Sequence, residues 1–113
     1  MVIVSGCCMK KYPSTSGANC RSCDGCYSKS KNEESNGRPV YISERTDTVT
    51  IANSDHDGSD NWYFMIEYDH IIPTNLVMYE SMEVDGLQGK YASRFDDSIA
   101  TVNCTRVCPY NLK

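Results

Sequence analysis

At 113 residues, 40% hydrophobic and 23% charged, the chain has the length of one domain, and no apolar run approaches the roughly 18–20 residues of a membrane span. Its net charge of −4 is unevenly spread: residues 1–31 carry five bases against Asp24 alone, whereas residues 32–113 carry six bases against fourteen acids. So acidic a body, with no strip of basic and aromatic residues, points away from nucleic acid as a partner. The basic segment and the acidic body either attract each other within the molecule or present a steering surface to an anionic partner.

Residues 1–37 read as an irregular, cysteine-rich segment of Ser, Gly, Asn and Lys, held by its cysteines rather than by periodic packing. Met1-Val-Ile-Val is too short for the apolar stretch of a secretory signal, so the expectation is that such a signal was removed. From Arg38 the texture changes. Val40 and Ile42 alternate with Tyr41 and Ser43, and in residues 48–53 Val49 and Ile51 share one face while Thr48 and Thr50 share the other. Residues 61–68 place Trp62, Phe64, Ile66 and Tyr68 on one face and Tyr63 and Met65 on the other, the pattern of a central strand. Further strands are predicted over 76–84, 90–95 and 98–103.

Asp24-Gly25, Asn36-Gly37, Asp57-Gly58 and Asp85-Gly86 are dipeptides favoured where a hairpin needs positive φ. Helical periodicity with a cap is missing, and only residues 76–84 would tolerate a helix. The predicted organisation is a single domain over 1–113: the irregular segment 1–37, a β core over 38–103 and a cysteine tail over 104–113. The fold class is all-β, a small antiparallel sandwich or barrel.

Seven cysteines occupy the two ends of the chain: Cys7, Cys8, Cys20, Cys23, Cys26, Cys104 and Cys108. The spacings Cys20-x2-Cys23-x2-Cys26 and Cys104-x3-Cys108 would also serve zinc or an iron–sulfur cluster. The fourth cysteine of a cluster would lie 78 residues after Cys26, and there is no second Cys-x2-Cys, so disulfides in an oxidising, extracellular compartment are expected, with no metal and no cofactor. Cys7 and Cys8 are expected to reach different partners, because a bridge between neighbours is strained. At least one bond should join the N-terminal cluster to Cys104 or Cys108. An odd count leaves one thiol over, either without a partner or available for a disulfide-linked homo-oligomer.

No catalytic motif appears. His56 and His70 flank the strand predicted over 61–68 and are not a natural acid–base couple, although a small secreted hydrolase or nuclease would have to use one of them. Asp55, Asp57 and Asp60 gather oxygen ligands of the kind calcium takes, without the EF-hand spacing. Asn103-Cys104-Thr105 matches the N-glycosylation pattern at Asn103. Trp62 reads as core rather than as a sugar platform. Of Tyr12, Tyr27, Tyr41, Tyr63, Tyr79 and Tyr91, those that reach the surface would suit a contact face, while most line the edge of the core.

Asn36-Gly-Arg-Pro-Val-Tyr41, preceded by Val4-Ser-Gly-Cys7 and followed by Trp62-Tyr-Phe64, resembles a short module of extracellular multidomain proteins in protists and marine invertebrates. The resemblance implies an extracellular β-module used for contact. The expected function is that of a small secreted, disulfide-stabilised binding protein that recognises a protein or glycan partner. A disulfide-linked structural subunit of an extracellular assembly is the alternative, and a secreted hydrolase the third.

Overall fold

Alternating burial sorts the strands into an inward and an outward row. The computed structural model describes residues 1–9, 21–45, 49–54, 61–68, 74–83, 86–94 and 97–109, and these contain strands and no helix. The strands are β1 (Val2–Ser5), β2 (Cys8–Met9), β3 (Arg21–Ser22), β4 (Gly25–Ser35), β5 (Arg38–Ser43), β6 (Val49–Ser54), β7 (Asn61–Tyr68), β8 (Thr74–Ser81), β9 (Gly89–Ser93) and β10 (Ile99–Cys104). Eight of them close an antiparallel barrel in the order β1-β10-β9-β8-β7-β6-β5-β4, and β2 and β3 form a separate two-stranded ribbon. From β4 to β10 each strand pairs with the next in sequence. β1 closes the ring, with Val2 opposite both Cys104 of β10 and Tyr27 of β4. Closure pairs every barrel strand with a neighbour on each side, which suits a small all-β chain.

The core is the barrel interior. Val2 and Val4, Tyr27, Val49 and Ile51, Trp62 and Phe64, Tyr79, Tyr91, and Ala100 and Val102 form one buried cluster. Phe64 is its centre, with ring centroids 4.9 Å from Tyr91, 5.4 Å from Tyr79 and 6.2 Å from Tyr27, all tilted. An eight-stranded barrel is just wide enough for side chains to fill it, and these rings fill it. Ser28, Thr50, Lys90 and Thr101 alternate with buried neighbours and so face outward. Among the described residues no helix is long and apolar enough to cross a membrane.

The all-β expectation holds, and of the two architectures anticipated the barrel is the one observed. Residues 1–37, expected to be irregular, contribute two barrel strands, one of them the eleven-residue β4. Only Gly25, Cys26 and Tyr27 of β4 are buried, and the remainder is polar, so the strand carries no alternation to read. Pairing with β5, not its own side chains, makes that polar part a strand. The strand expected over 76–84 is β8, which begins earlier at Thr74 and ends at Ser81, and Val84 lies outside the described residues.

Of the four turn dipeptides, Asn36-Gly37 is the hairpin tip expected, with φ of 55° and 73° at its two residues. Asp24-Gly25 is not a tip, since Gly25 opens β4. Gly86 lies in the β8–β9 connection, outside the left-handed region, and donates its N–H to Glu83 O at 3.1 Å. Asp57-Gly58 and Asp85 lie outside the described residues. After β1, Gly6 turns the chain with φ 76°, where a Cβ would sit 2.8 Å from the Ile99 carbonyl oxygen. Only glycine is accommodated there without a shift of backbone.

Candidate functional site

A three-residue excess in β4 shapes the outer surface. β4 and β5 are in register at Lys29↔Tyr41 and again at Glu34↔Pro39, so β4 advances five residues while β5 advances two. Ser30 organises the surplus: its hydroxyl oxygen accepts the N–H groups of Asn32 and Glu33 at 3.3 and 3.2 Å. Pro39, which has no N–H to give to a ladder, sits where regular pairing resumes. Such bulges bend a strand and re-aim its side chains. Here the β4–β5 hairpin reaches past β5 to β6. Ser35 Oγ donates to Asn53 O at 2.6 Å, and Asn36 Nδ2 donates to Asn53 Oδ1 at 2.8 Å.

Beneath the displaced β4 lies an open cleft of about 410 Å³. Its floor is the outward row of the barrel: Val40 of β5, Thr50 and Ala52 of β6, and Met65 of β7. The register places Thr50 opposite Met65, and Val40 falls opposite Ala52. Its wall is Asn32, Glu33, Glu34 and Ser35. Consecutive residues of a regular strand face opposite sides; the bulge lets Glu33 and Glu34 line the same cleft. Val40 and Ala52 are buried although they point away from the core, because the hairpin covers them.

One end of the barrel is sealed covalently. Cys7–Cys23 spans the segment between β1 and β4, with Cys7 N–H donating to Asp24 Oδ1 at 2.6 Å. Tyr27 donates its hydroxyl to Cys23 O at 2.8 Å, and the Tyr79 hydroxyl accepts Cys8 N–H at 3.1 Å and meets Ser98 Oγ at 3.2 Å. Burial pushes the Tyr27 phenol well above its ordinary value, against a smaller opposing effect of its hydrogen bond with Ser43. Cys26–Cys108 binds the C-terminal tail across the outside of β1, closing a separation of 82 residues. Cys8 is also disulfide-bonded, so Cys7 and Cys8 reach different partners. Cys20 lies outside the described residues.

The opposite end has no bridge among the described residues. Leu87 packs against the core cluster there, and Tyr91 donates its hydroxyl to Leu87 O at 2.6 Å. Asn61 Nδ2 donates to Ser81 O at 3.1 Å, and Ser81 Oγ donates to Glu83 O at 2.8 Å and Gly86 O at 3.0 Å. Trp62 is core, as anticipated, and stands 6.3 Å from the Tyr41 ring. Burial raises the phenols of Tyr91 and Tyr41, with Cys104 adding a smaller push in the same direction. Asn53 is fully buried, and its Nδ2 has no hydrogen-bond partner.

Cys104 is the free, exposed cysteine among the described residues; its backbone N–H donates to Gln88 Oε1 at 2.9 Å. Asn103, beside it on β10, is exposed. Cys26, Cys108 and Glu44 place their sulfurs and a carboxylate oxygen within 4.8 Å of one another. That triad is not a zinc site in the bridged form, because a disulfide sulfur is not a thiolate donor. Ser28 Oγ and the Glu44 carboxylate are hydrogen-bonded, and Glu44 N–H donates to Cys26 O at 2.9 Å, so the carboxylate flanks the bridge. His56, His70, Asp55, Asp57, Asp60 and Tyr12 lie outside the described residues. Tyr27, Tyr63, Tyr79 and Tyr91 are fully buried, leaving Tyr41 as the half-exposed ring.

The cleft was missed by sequence reasoning because its wall falls in the segment read as irregular. The available signal was the polar run Ser30-Lys-Asn-Glu-Glu-Ser35 leading into Asn36-Gly37 and followed by Pro39, a combination that fits a bulged hairpin arm. No protein family, curated protein or solved structure matches this chain.

Proposed function

We infer that this chain is a secreted recognition protein in which a filled, disulfide-tied barrel carries a binding cleft on its outer face. The observation that supports the reading best is the cleft itself. Three surplus residues in β4 are not needed to close the barrel, yet they wall an open, mostly polar cleft of about 410 Å³. Concave surfaces that converge polar groups are where ligands and partner side chains are held and oriented. The packed aromatic interior favours an external site over an internal one. The two bridges Cys7–Cys23 and Cys26–Cys108 fit an oxidising environment, and an extracellular location follows from them as part of the proposal. The partner is a protein or a glycan.

The test is a panel of extracellular proteins and glycans probed with the oxidised chain and with Thr50→Trp, which fills the cleft from its outward row. Binding lost in the variant supports the reading. Partners bound equally by both forms place recognition elsewhere and overturn it.

A second reading, a disulfide-linked extracellular assembly, is favoured by the exposed thiol of Cys104. Non-reducing electrophoresis checks it: a dimer that disappears with Cys104→Ser supports the assembly, and a monomeric wild type counts against it.

A further inference from the structure

Asn103-Cys104-Thr105 is the only Asn-x-Ser/Thr triplet in the sequence, and the fold puts its asparagine where a bulky group is tolerated. Along β10, Ala100 and Val102 are fully buried, whereas Asn103 is exposed, with Ile3 of β1 as its cross-strand neighbour. Alternation turns Asn103 away from the core. Among the described residues its side-chain amide makes no hydrogen bond, so the fold loses no contact when that nitrogen is substituted. The middle residue, Cys104, is free rather than bridged, and no disulfide competes for the triplet. Thr105 supplies the hydroxyl that the motif requires, and in the folded chain that hydroxyl makes a surface bond to Val107 O at 2.8 Å.

We propose that Asn103 is an N-glycosylation site, an assignment that rests on the secreted reading above. The co-reactant is a lipid-linked oligosaccharide of the secretory pathway. Asn103 Nδ2 forms a bond to the anomeric carbon of the first sugar, and the bond from that carbon to the lipid pyrophosphate breaks. The pyrophosphate leaves with the electron pair, and the amide nitrogen gives up one proton. Nothing is oxidised or reduced. The added group is bulky and hydrophilic, which requires a surface position such as this one. Around the eight-stranded ring, β10 stands four strands from β6 in either direction. A sugar on the outer wall of β10 therefore lies across the barrel from the cleft over β5, β6 and β7, and leaves that cleft uncovered.

The experiment directs the full chain into the secretory pathway of cultured eukaryotic cells and recovers it from the medium with its bridges oxidised. Gel mobility before and after peptide N-glycosidase reads the sugar, and peptide mass spectrometry reads the aspartate that the enzyme leaves at position 103. The expected result is a mobility shift that the enzyme removes entirely. The shift should be lost completely in Asn103→Gln and in Thr105→Ala. It should persist in Cys104→Ser and Thr105→Ser, which keep the triplet; Thr105→Ser also keeps the hydroxyl that bonds Val107 O and so separates loss of the motif from loss of that bond. Oxidised wild-type chain that reaches the medium without a removable sugar overturns the assignment and leaves the binding reading standing. A shift that survives Asn103→Gln overturns it too. A chain glycosylated at Asn103 that binds no member of the panel gives the reverse outcome: the assignment holds and the recognition reading fails.

Discussion

The two ends of this barrel are closed by different chemistry. At the end where β1 leads toward β4, Cys7–Cys23 forms a covalent plug, and the Tyr27 and Tyr79 hydroxyls reach across the opening to its backbone. At the other end the described closures are hydrogen bonds among Asn61, Ser81, Tyr91 and the β8–β9 connection, with a free thiol at Cys104 and an Asn53 Nδ2 that has no partner. A covalent plug stabilises chiefly by restricting the unfolded chain, whereas a polar closure contributes through bonds that trade against water. The hydrogen-bonded end is therefore the one that can open locally without breaking a covalent bond. The cleft-forming hairpin is anchored beside it, through Ser35 and Asn36 on Asn53.

The largest expected effect comes from the bridge that binds the C-terminal tail to β4. Replacing Cys26 and Cys108 together by Ala releases a constraint over 82 residues, worth about 4–5 kcal/mol on loop-closure entropy alone. Urea unfolding of the oxidised protein measures it, and a loss under about 1 kcal/mol would show that the tail contributes little. Replacing Cys7 and Cys23, 16 residues apart, should cost about 3 kcal/mol. Hydrogen exchange then separates the two ends: protection should fall around Tyr27 and Tyr79 while the amides near Ser81 and Tyr91 keep theirs. Uniform loss at both ends would erase the distinction.

Alkaline pH tests both ends at once. The buried phenols of Tyr27 and Tyr91 have folded values raised above the ordinary value near 10. Below that ordinary value both states hold the proton, and the contribution to stability is constant. Above it the unfolded chain releases protons that the folded chain retains, so stability falls as pH rises. Thermal unfolding followed from about pH 8 to 11 should show a midpoint that is flat and then drops. Tyr91→Phe should reduce that drop and cost roughly 1 kcal/mol at neutral pH for its bond to Leu87 O. A drop beginning well below the ordinary tyrosine value would implicate other groups.

The smallest effect is expected at Cys104, whose exposed side chain can be replaced by Ser with a change under about 0.5 kcal/mol. A larger loss would mean that its sulfur takes part in closing the hydrogen-bonded end.

Much of the barrel was legible because its walls obey period two. Val49 and Ile51, then Trp62 and Phe64, announce their inward faces, and those residues form the core. The separation of cysteine-rich ends from a cysteine-free middle anticipated a bond between the termini, and Cys26–Cys108 is that bond. β4 was illegible for the opposite reason: its polar outer half has no pattern of its own and becomes a strand through its neighbours. The cleft depends on that same strand. Its wall and floor come from residues 32–35, 40, 50, 52 and 65, and no local rule says that they meet.

By itself, then, the amino-acid order determined an all-β chain with a hydrophobic middle and sulfur at both ends, because alternation and composition are local properties. Only the tertiary structure decided that β1 closes the ring, which cysteines pair, and that three surplus residues lift β4 off the sheet. Those outcomes depend on register between strands distant in sequence, and register is a property of pairs of segments, not of either one alone.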